Sequence, residues 1–354
     1  MELTETQKVA LGTIVAKVRA GTIRQTLGGY AGTGKSVLVT YLAKFFPNYG
    51  VCAYTGKAAN VLRKKGLGSA TTIHSRIYKP VMEWGKLVGF DLACPTELGC
   101  EGFIVDEASM VSSEIYHDLL SYNYPCIFVG DHGQLEPIGT DFNLMQKPDI
   151  TLEEIHRNAG DIAVFAERLR HGYKASSFRG QSDIVKFKGK RLSDDDLVNT
   201  DQIICAFNKT RVEMNNRVRS ALGYEGKAPN VGERIICLKN NKTLGLFNGM
   251  QGVVKNVGYD MNGIPRLDFE FDGQVYPDIM YDQRWFGVEK PVFDYFGKDH
   301  PIPFDFAYCI TAHKAQGDEF ERVLVIEQKC DLWDHKRWAY TSASRAKGEL
   351  VWAS

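Results

Sequence analysis

Apolar and polar positions change period several times along the chain. Near the start, Val9, Ala10, Ile14 and Val18 recur at helical spacing, and Thr4 with Gln7 three residues on has the form of a capping box. The stretch from Ile23 to Leu27 predicts a short strand. A glycine-rich turn follows, then a helix from about Lys35 to Phe46, a strand around Val51 to Tyr54 and a helix from about Lys57 to Lys65. Strands alternating with helices at this spacing predict a parallel sheet. Residues 76–100 break the alternation. Two strand-like halves flank Glu83-Trp84-Gly85-Lys86, as in a β-hairpin inserted into the sheet domain. The alternation resumes with strands Phe103 to Val105 and Cys126 to Val129.

A second α/β stretch opens after residue 150, with a strand from Ile203 to Phe207 and a helix over NKTRVEMNNRVRSAL. From about 228 to 305 short alternating runs (RIICLKN, GVVKNV, RLDFEF, VYPDIM) separated by glycine and proline predict a small β-barrel or sheet. The α/β pattern then returns: strand Phe306 to Ile310, a helix from Thr311, strand Val323 to Ile326, a helix through Arg345 and a last strand near Leu350. The pattern therefore divides the chain into a first α/β domain (1–150) carrying a hairpin at about 76–100, a second α/β domain (151–227 plus 306–354), and a β-rich insertion (228–305).

The length of 354 residues suits two or three domains, and 44% apolar with 24% charged residues is the profile of a soluble globular protein. Basic and acidic residues balance at 43 each. A passive nucleic-acid coat would carry a basic excess, so that class is disfavoured, whereas a local groove for a backbone is not. The eight cysteines show no Cys-x-x-Cys pair, and several sit in apolar runs such as IICAF and AYCI. They are expected to be reduced core residues of a cytoplasmic protein. MELTETQKVALG has no basic start followed by an apolar core, and no apolar run reaches spanning length, so neither a signal peptide nor a membrane segment is expected.

The chemistry concentrates in three segments of the first domain. Gly29-Tyr30-Ala31-Gly32-Thr33-Gly34-Lys35-Ser36 fits the phosphate-loop pattern G-x-x-x-x-G-K-[ST], placed between a strand and a helix. Glycines let backbone amides converge on one point, and the helix N-terminus adds partial positive charge. Lys35 can then reach the β- and γ-phosphates of ATP, and the Ser36 hydroxyl can ligate Mg²⁺. In Gly102 to Glu107 an apolar strand delivers Asp106 and Glu107 at its carboxyl end. Asp106 can hold the Mg²⁺ through water, and Glu107 can polarise the attacking water. The strand CIFV leads into Gly130-Asp131-His132-Gly133-Gln134, where the Gln134 amide can sense the γ-phosphate. Arg157 and Arg345, placed in the second α/β domain, offer guanidinium groups for the charge that spreads in phosphoryl transfer.

Together these segments resemble the superfamily-one helicases of the RecD-like branch, over nearly the whole chain. The resemblance rests, in order, on Leu3-Thr4-x-x-Gln7, GYAGTGKS, Thr55-Gly56-Lys57-Ala58-Ala59, Thr72-Ile73-His74-Ser75, Asp106-Glu107, Gly130 to Gln134, Arg157, Ala206-Phe207-Asn208-Lys209, Thr311-Ala312-His313-Lys314-Ala315-Gln316-Gly317 and Tyr340 to Ala346. It implies two RecA-like domains, a strand-separating pin at the hairpin bearing Trp84, and an SH3-like insertion at 228–305. It implies that Gln7 reads adenine and that Thr55, Lys57, His74, Asn208, Thr311, His313 and Lys314 face a DNA strand. Gln316 and Gly317 would couple strand contact to the nucleotide, and Glu319 would touch its ribose. Trp84, Phe90, Tyr281, Trp285 and Phe286 are candidates for base stacking, though core packing is the favoured reading of any one of them, because large aromatics dominate cores. The function implied is an ATP-dependent helicase or translocase moving 5′ to 3′ on single-stranded DNA, as a monomer, at forked duplexes and with replication or recombination proteins as partners. The competing readings are an RNA-directed translocase and a single-stranded nucleic-acid-binding module whose ATPase core has degenerated.

Overall fold

A computed structural model describes all residues except 1–2, 84–85, 137–141, 155–159, 181, 183, 190, 242–243, 272, 294–299 and 331–332. The chain divides into two compact units, Met1–Ala163 and Val164–Ser354.

The first unit is built on a six-stranded, all-parallel sheet. Its order is Thr71–Thr72, Tyr49–Ala53, Gly102–Asp106, Cys126–Gly130, Arg24–Gly29 and Ile150–Leu152. The inner strands are apolar throughout because helices or loops cover both faces. Leu27, Ile104, Ile127 and Val129 pack with Leu38, Val39 and Leu42 of the helix Lys35–Phe45 on one face. Phe103, Val105 and Phe128 pack with Ile115 and Leu119 of the helix Ser113–Ser121 on the other. The first helix, Glu5–Arg19, begins with the expected capping box of Thr4 and Gln7. Its buried face differs from the expected one: Ala10, Leu11, Ile14 and Val15 are buried, whereas Val9 points to solvent. The edge strand Ile150–Leu152 carries this unit past residue 150, because its three residues complete the sheet beside the phosphate-loop strand. The hairpin consists of antiparallel strands Tyr78–Glu83 and Lys86–Leu92, with residues 84–85 outside the described residues.

The second unit holds a five-stranded parallel sheet in the order Cys309–Thr311, Gln202–Cys205, Phe320–Ile326, Ala346–Ala353 and Val185–Lys188. It also holds an antiparallel sheet in the order Gln274–Met280, Pro265–Phe271, Gln251–Tyr259, Arg234–Cys237 and Phe304–Phe306. The expected strand Phe306 to Ile310 is two strands. The chain leaves the antiparallel sheet at Phe306 and enters the parallel one at Cys309. One apolar core, including Ile203, Cys205, Ile235, Phe269, Phe304 and Leu324, runs under both sheets, so a continuous apolar run can serve two pairings. Cys52, Cys126, Cys205, Cys237 and Cys309 all lie buried on strands. Among the described residues, no helix is long and apolar enough to cross a membrane.

Candidate nucleotide and strand site

In the first sheet, Gly28 pairs with Gly130 and Ala53 with Asp106. The phosphate loop, Asp106-Glu107, the Asp131 to Gln134 turn and Thr55 therefore all leave the same carboxyl edge, the place where parallel sheets bind ligands. Backbone geometry in the loop depends on glycine. Gly32 and Gly34 have φ of +81° and +82°, the left-handed region that costs other residues energy. Just before the loop, a Cβ on Gly28 would stand 2.5 Å from Pro148 and 2.8 Å from His132 Nδ1, so the strand and its neighbours meet there without room for a side chain.

The Tyr30 carbonyl gathers the loop. It accepts from Thr33 N at 3.2 Å, from Thr33 Oγ1 at 2.8 Å and from Lys35 Nζ at 2.8 Å. Lys35 thus folds back across the loop, with its ammonium 3.7 Å from Asp131 Oδ2. Gln7 braces the loop from the first helix: its Nε2 donates to the Thr33 carbonyl at 3.0 Å, while its Oε1 accepts from Thr4 N at 3.0 Å. Ser36 follows Lys35 on the first turn of the helix, where backbone amides have no intrahelical acceptor.

Asp106 is buried at the strand end, and its Oδ1 accepts the Glu107 amide at 2.9 Å. Burial raises its carboxyl above the usual aspartate range, opposed by that amide and by the charges of Lys35 and Lys65. Glu107 takes φ +53°, rare for a residue with a side chain, which turns the chain sharply into the 3₁₀ turn Ala108–Met110. Such strain collects at functional sites.

Asp131 is the organising residue that the sequence pattern did not single out. It is fully buried, and its Oδ1 accepts from Gly133 N at 2.9 Å and its Oδ2 from Gln134 Nε2 at 3.2 Å. It thereby orients Gln134 and stands beside Lys35. The next residue, His132, rests its ring 4.1 Å from that of Tyr30, a second link between this turn and the phosphate loop. The only advance signal was an acid after an apolar strand, which is common. Asp131→Ala should lower unfolding free energy by about 1–3 kcal/mol, because Gly133 N–H and the Gln134 amide lose a buried acceptor. A denaturant midpoint unchanged from the parent chain would refute the organising role.

Of the other first-unit residues, Thr55 caps the helix Gly56–Lys64 by accepting from Ala58 N at 3.1 Å. Lys57 lies on that helix, with its side chain outside the described residues. His74 is exposed, its ring 5.4 Å from Tyr78 and 6.4 Å from Tyr54. Trp84 and Arg157 lie outside the described residues.

In the second unit Cys205 pairs with Thr311, so Asn208 and Thr311 leave neighbouring strands at one edge of the sheet. Asn208 opens the helix Asn208–Ala221 and accepts from Arg211 Nε at 3.1 Å. The helix expected from Thr311 does not form. Residues 312–317 make tight turns, with Ala315 N bonded to Thr311 O, and Gly317 at φ +78° ends them. Eight residues must return the chain from the carboxyl end of one strand to the amino end of Phe320–Ile326, too few for a helix and two connections. On this turn Gln316 is buried, and burial lowers the pKa values of His313 and Lys314. Glu319 is exposed and pairs with Lys347 at 3.0 Å.

Arg345 is buried at the amino end of the last strand. Its Nε donates to Thr341 O at 3.0 Å, Nη1 to Asp318 O at 3.1 Å and Nη2 to Ser344 Oγ at 2.8 Å. It ties the end of the helix His335–Ala343 to Asp318, just past the 312–317 turns. Of the stacking candidates, Tyr281, Trp285 and Phe286 are buried, as core packing of large aromatics favours. Phe90 is 55% exposed.

Comparison with known proteins agrees with this geometry. Residues 2–187, just over half the chain, match the family described as an AAA domain, and residues 306–352 match the UvrD-like helicase C-terminal domain. The ATP-dependent DNA helicase dda of Enterobacteria phage T4 is 26% identical over 66% of this chain and 61% of its own length. The ATP-dependent RecD2 DNA helicase of Deinococcus radiodurans is 26% identical over 91% of this chain and 45% of its own length. The chain therefore spans about half the length of the curated relatives it matches. The crystal structure of Bacteroides Pif1 bound to ssDNA shares the fold with a TM-score of 0.65 at 19% identity, covering 99% of this chain and 92% of that one. A phosphate loop braced by Gln7, acids at the neighbouring strand end, a second parallel sheet with an antiparallel insertion, and two family matches in order lead to one assignment: the chain belongs to the superfamily-one helicases of the Pif1, RecD2 and Dda family.

Proposed function

We propose that this protein is an ATP-dependent motor that moves 5′ to 3′ along single-stranded DNA and separates duplex or displaces bound proteins. The observation that supports this most is the convergence at one sheet edge. Lys35 lies beside Asp131, Asp131 holds Gln134, and the Lys35 charge reaches buried Asp106. Lys35 would leave the Tyr30 carbonyl for the β- and γ-phosphates, Glu107 would polarise the attacking water, and Gln134 would report the γ-phosphate. Arg157 and Arg345 would supply further positive charge to the same phosphate.

The donors fit Mg²⁺. A hydroxyl on Ser36 and a carboxylate on Asp106 are hard oxygens, few in number, as suits an ion that keeps its waters and borrows phosphate oxygens. When bound, the ion would neutralise developing phosphate charge. Gln7, Gly317 and Glu319 would complete the nucleotide pocket, and Thr55, Lys57, His74, Trp84, Asn208, Thr311, His313 and Lys314 would contact the strand. The hairpin would act as a pin, and the 228–305 region would be an SH3-like domain between the halves of the second RecA-like domain. The Bacteroides Pif1 structures described as bound to ssDNA and to ADP-AlF3 support strand and nucleotide as the ligands.

The test is unwinding of duplexes with a 5′ or a 3′ single-stranded tail, of DNA or RNA, with ATP turnover followed in parallel. Strand-stimulated turnover with separation of the 5′-tailed DNA duplex is expected. Turnover without strand stimulation would remove the motor reading, and preference for the 3′ tail would reverse the direction.

A further inference from the structure

The β insertion reaches the 312–317 turns with a specific hydrogen bond. Lys314 Nζ donates to Asn248 Oδ1 at 2.6 Å. Among the described residues, no carboxylate pairs with Lys314. The acceptor is well held. Asn248 N donates to Asn240 Oδ1 at 2.8 Å, Gly249 follows at φ +92°, and Gly249 N donates to Cys237 O at 2.8 Å. Three residues on, Gln251 Nε2 donates to Asp318 Oδ2 at 3.4 Å, so the insertion holds the same segment at a second point.

A half-buried ammonium on a long flexible stem keeps one position only if an acceptor holds it; otherwise it swings out to water. A carboxylate would hold it and cancel its charge. A neutral amide oxygen holds it and leaves the full positive charge for a phosphate. We propose that Asn248 is a positioning residue for the strand: from the β insertion it fixes the Lys314 ammonium, and so makes the insertion part of the grip on a nucleic-acid backbone. This rests on the reading of Lys314 as a strand contact, given above. No property of the phosphate loop enters it.

The experiment measures binding of the 354-residue chain to a fluorescent oligothymidylate between about 50 and 200 mM salt. Each lost phosphate contact on a single strand reduces the slope of log K against log salt by about 0.7. Lys314→Ala should flatten the slope by that amount. Asn248→Ala, which removes no buried group, should flatten it equally, and the double variant should match Lys314→Ala alone. An unchanged slope in Asn248→Ala, or a further loss in the double variant, overturns the positioning role. A parent slope in Lys314→Ala would remove Lys314 from the strand site, and the proposal with it. Absence of oligothymidylate binding by the parent chain would refute the strand reading itself.

Discussion

Replacing Lys35 by alanine is expected to reduce ATP turnover by about 10²–10³-fold or more, to the floor of a steady-state assay, with strand binding retained. The side chain is the one cation within the phosphate loop, and its position between the Tyr30 carbonyl and Asp131 Oδ2 places it where a triphosphate would collect charge. Transition-state charge on the equatorial oxygens is met by positioned donors, and alanine removes three of them at once. The substitution also takes a cation from beside fully buried Asp131. Its carboxylate keeps the Gly133 amide and the Gln134 side chain, so the domain should fold with a lower melting temperature. Turnover and oligonucleotide binding measured below that melting temperature separate the two effects. Retained turnover would dismiss the Gly29–Ser36 segment as the phosphate site.

Glu107→Gln should trap ATP. The amide has nearly the same shape, tolerates the same left-handed turn at φ +53°, and cannot accept a proton from water at neutral pH. Loss of a general base typically costs about 10²–10⁴-fold in rate. Nucleotide affinity should survive, because the phosphate loop and Asp106 are untouched. Single-turnover kinetics read this directly: bound ATP should persist for many parent turnover times. Fast product formation by the variant would assign water activation to another group. Lys35→Ala removes donors to the bound phosphates themselves and should also weaken nucleotide binding, whereas Glu107→Gln should leave it intact, so together they locate the loss in binding or in chemistry.

The sequence by itself determined the parts of this protein that are local. The phosphate loop is legible because its geometry is made by consecutive residues, with Gly32 and Gly34 turning the backbone and Lys35 and Ser36 opening the helix. The capping box of Thr4 and Gln7, the apolar strands ending in Asp106 and Gly130, and the hairpin flanking residues 84–85 are local in the same sense. Order along the chain was enough to indicate the family, since strands in a parallel sheet deliver their loops to one edge whatever the packing beneath.

Only the tertiary structure decided matters that depend on what lies opposite a residue. The amphipathic stripe of the first helix turned out to run through Leu11 and Val15 instead of Val9, because the sheet below selects the buried face. The TAHKAQG segment has the composition of a helix, but the short distance between two strands leaves it as turns, held at Lys314 by Asn248 and just past their end at Asp318 by Gln251 and Arg345. Phe306 to Ile310 reads as one apolar strand, yet Phe306 pairs in the antiparallel sheet and Cys309 and Ile310 in the parallel one. Asp131 looks like any acid after a strand, and acquires its role from Lys35, which lies nearly a hundred residues away in sequence and one strand away in space. Spacing along a chain encodes dihedral angles and periodicity. It does not encode which neighbour fills the other side of a contact, and at this site that neighbour sets burial, charge and therefore chemistry.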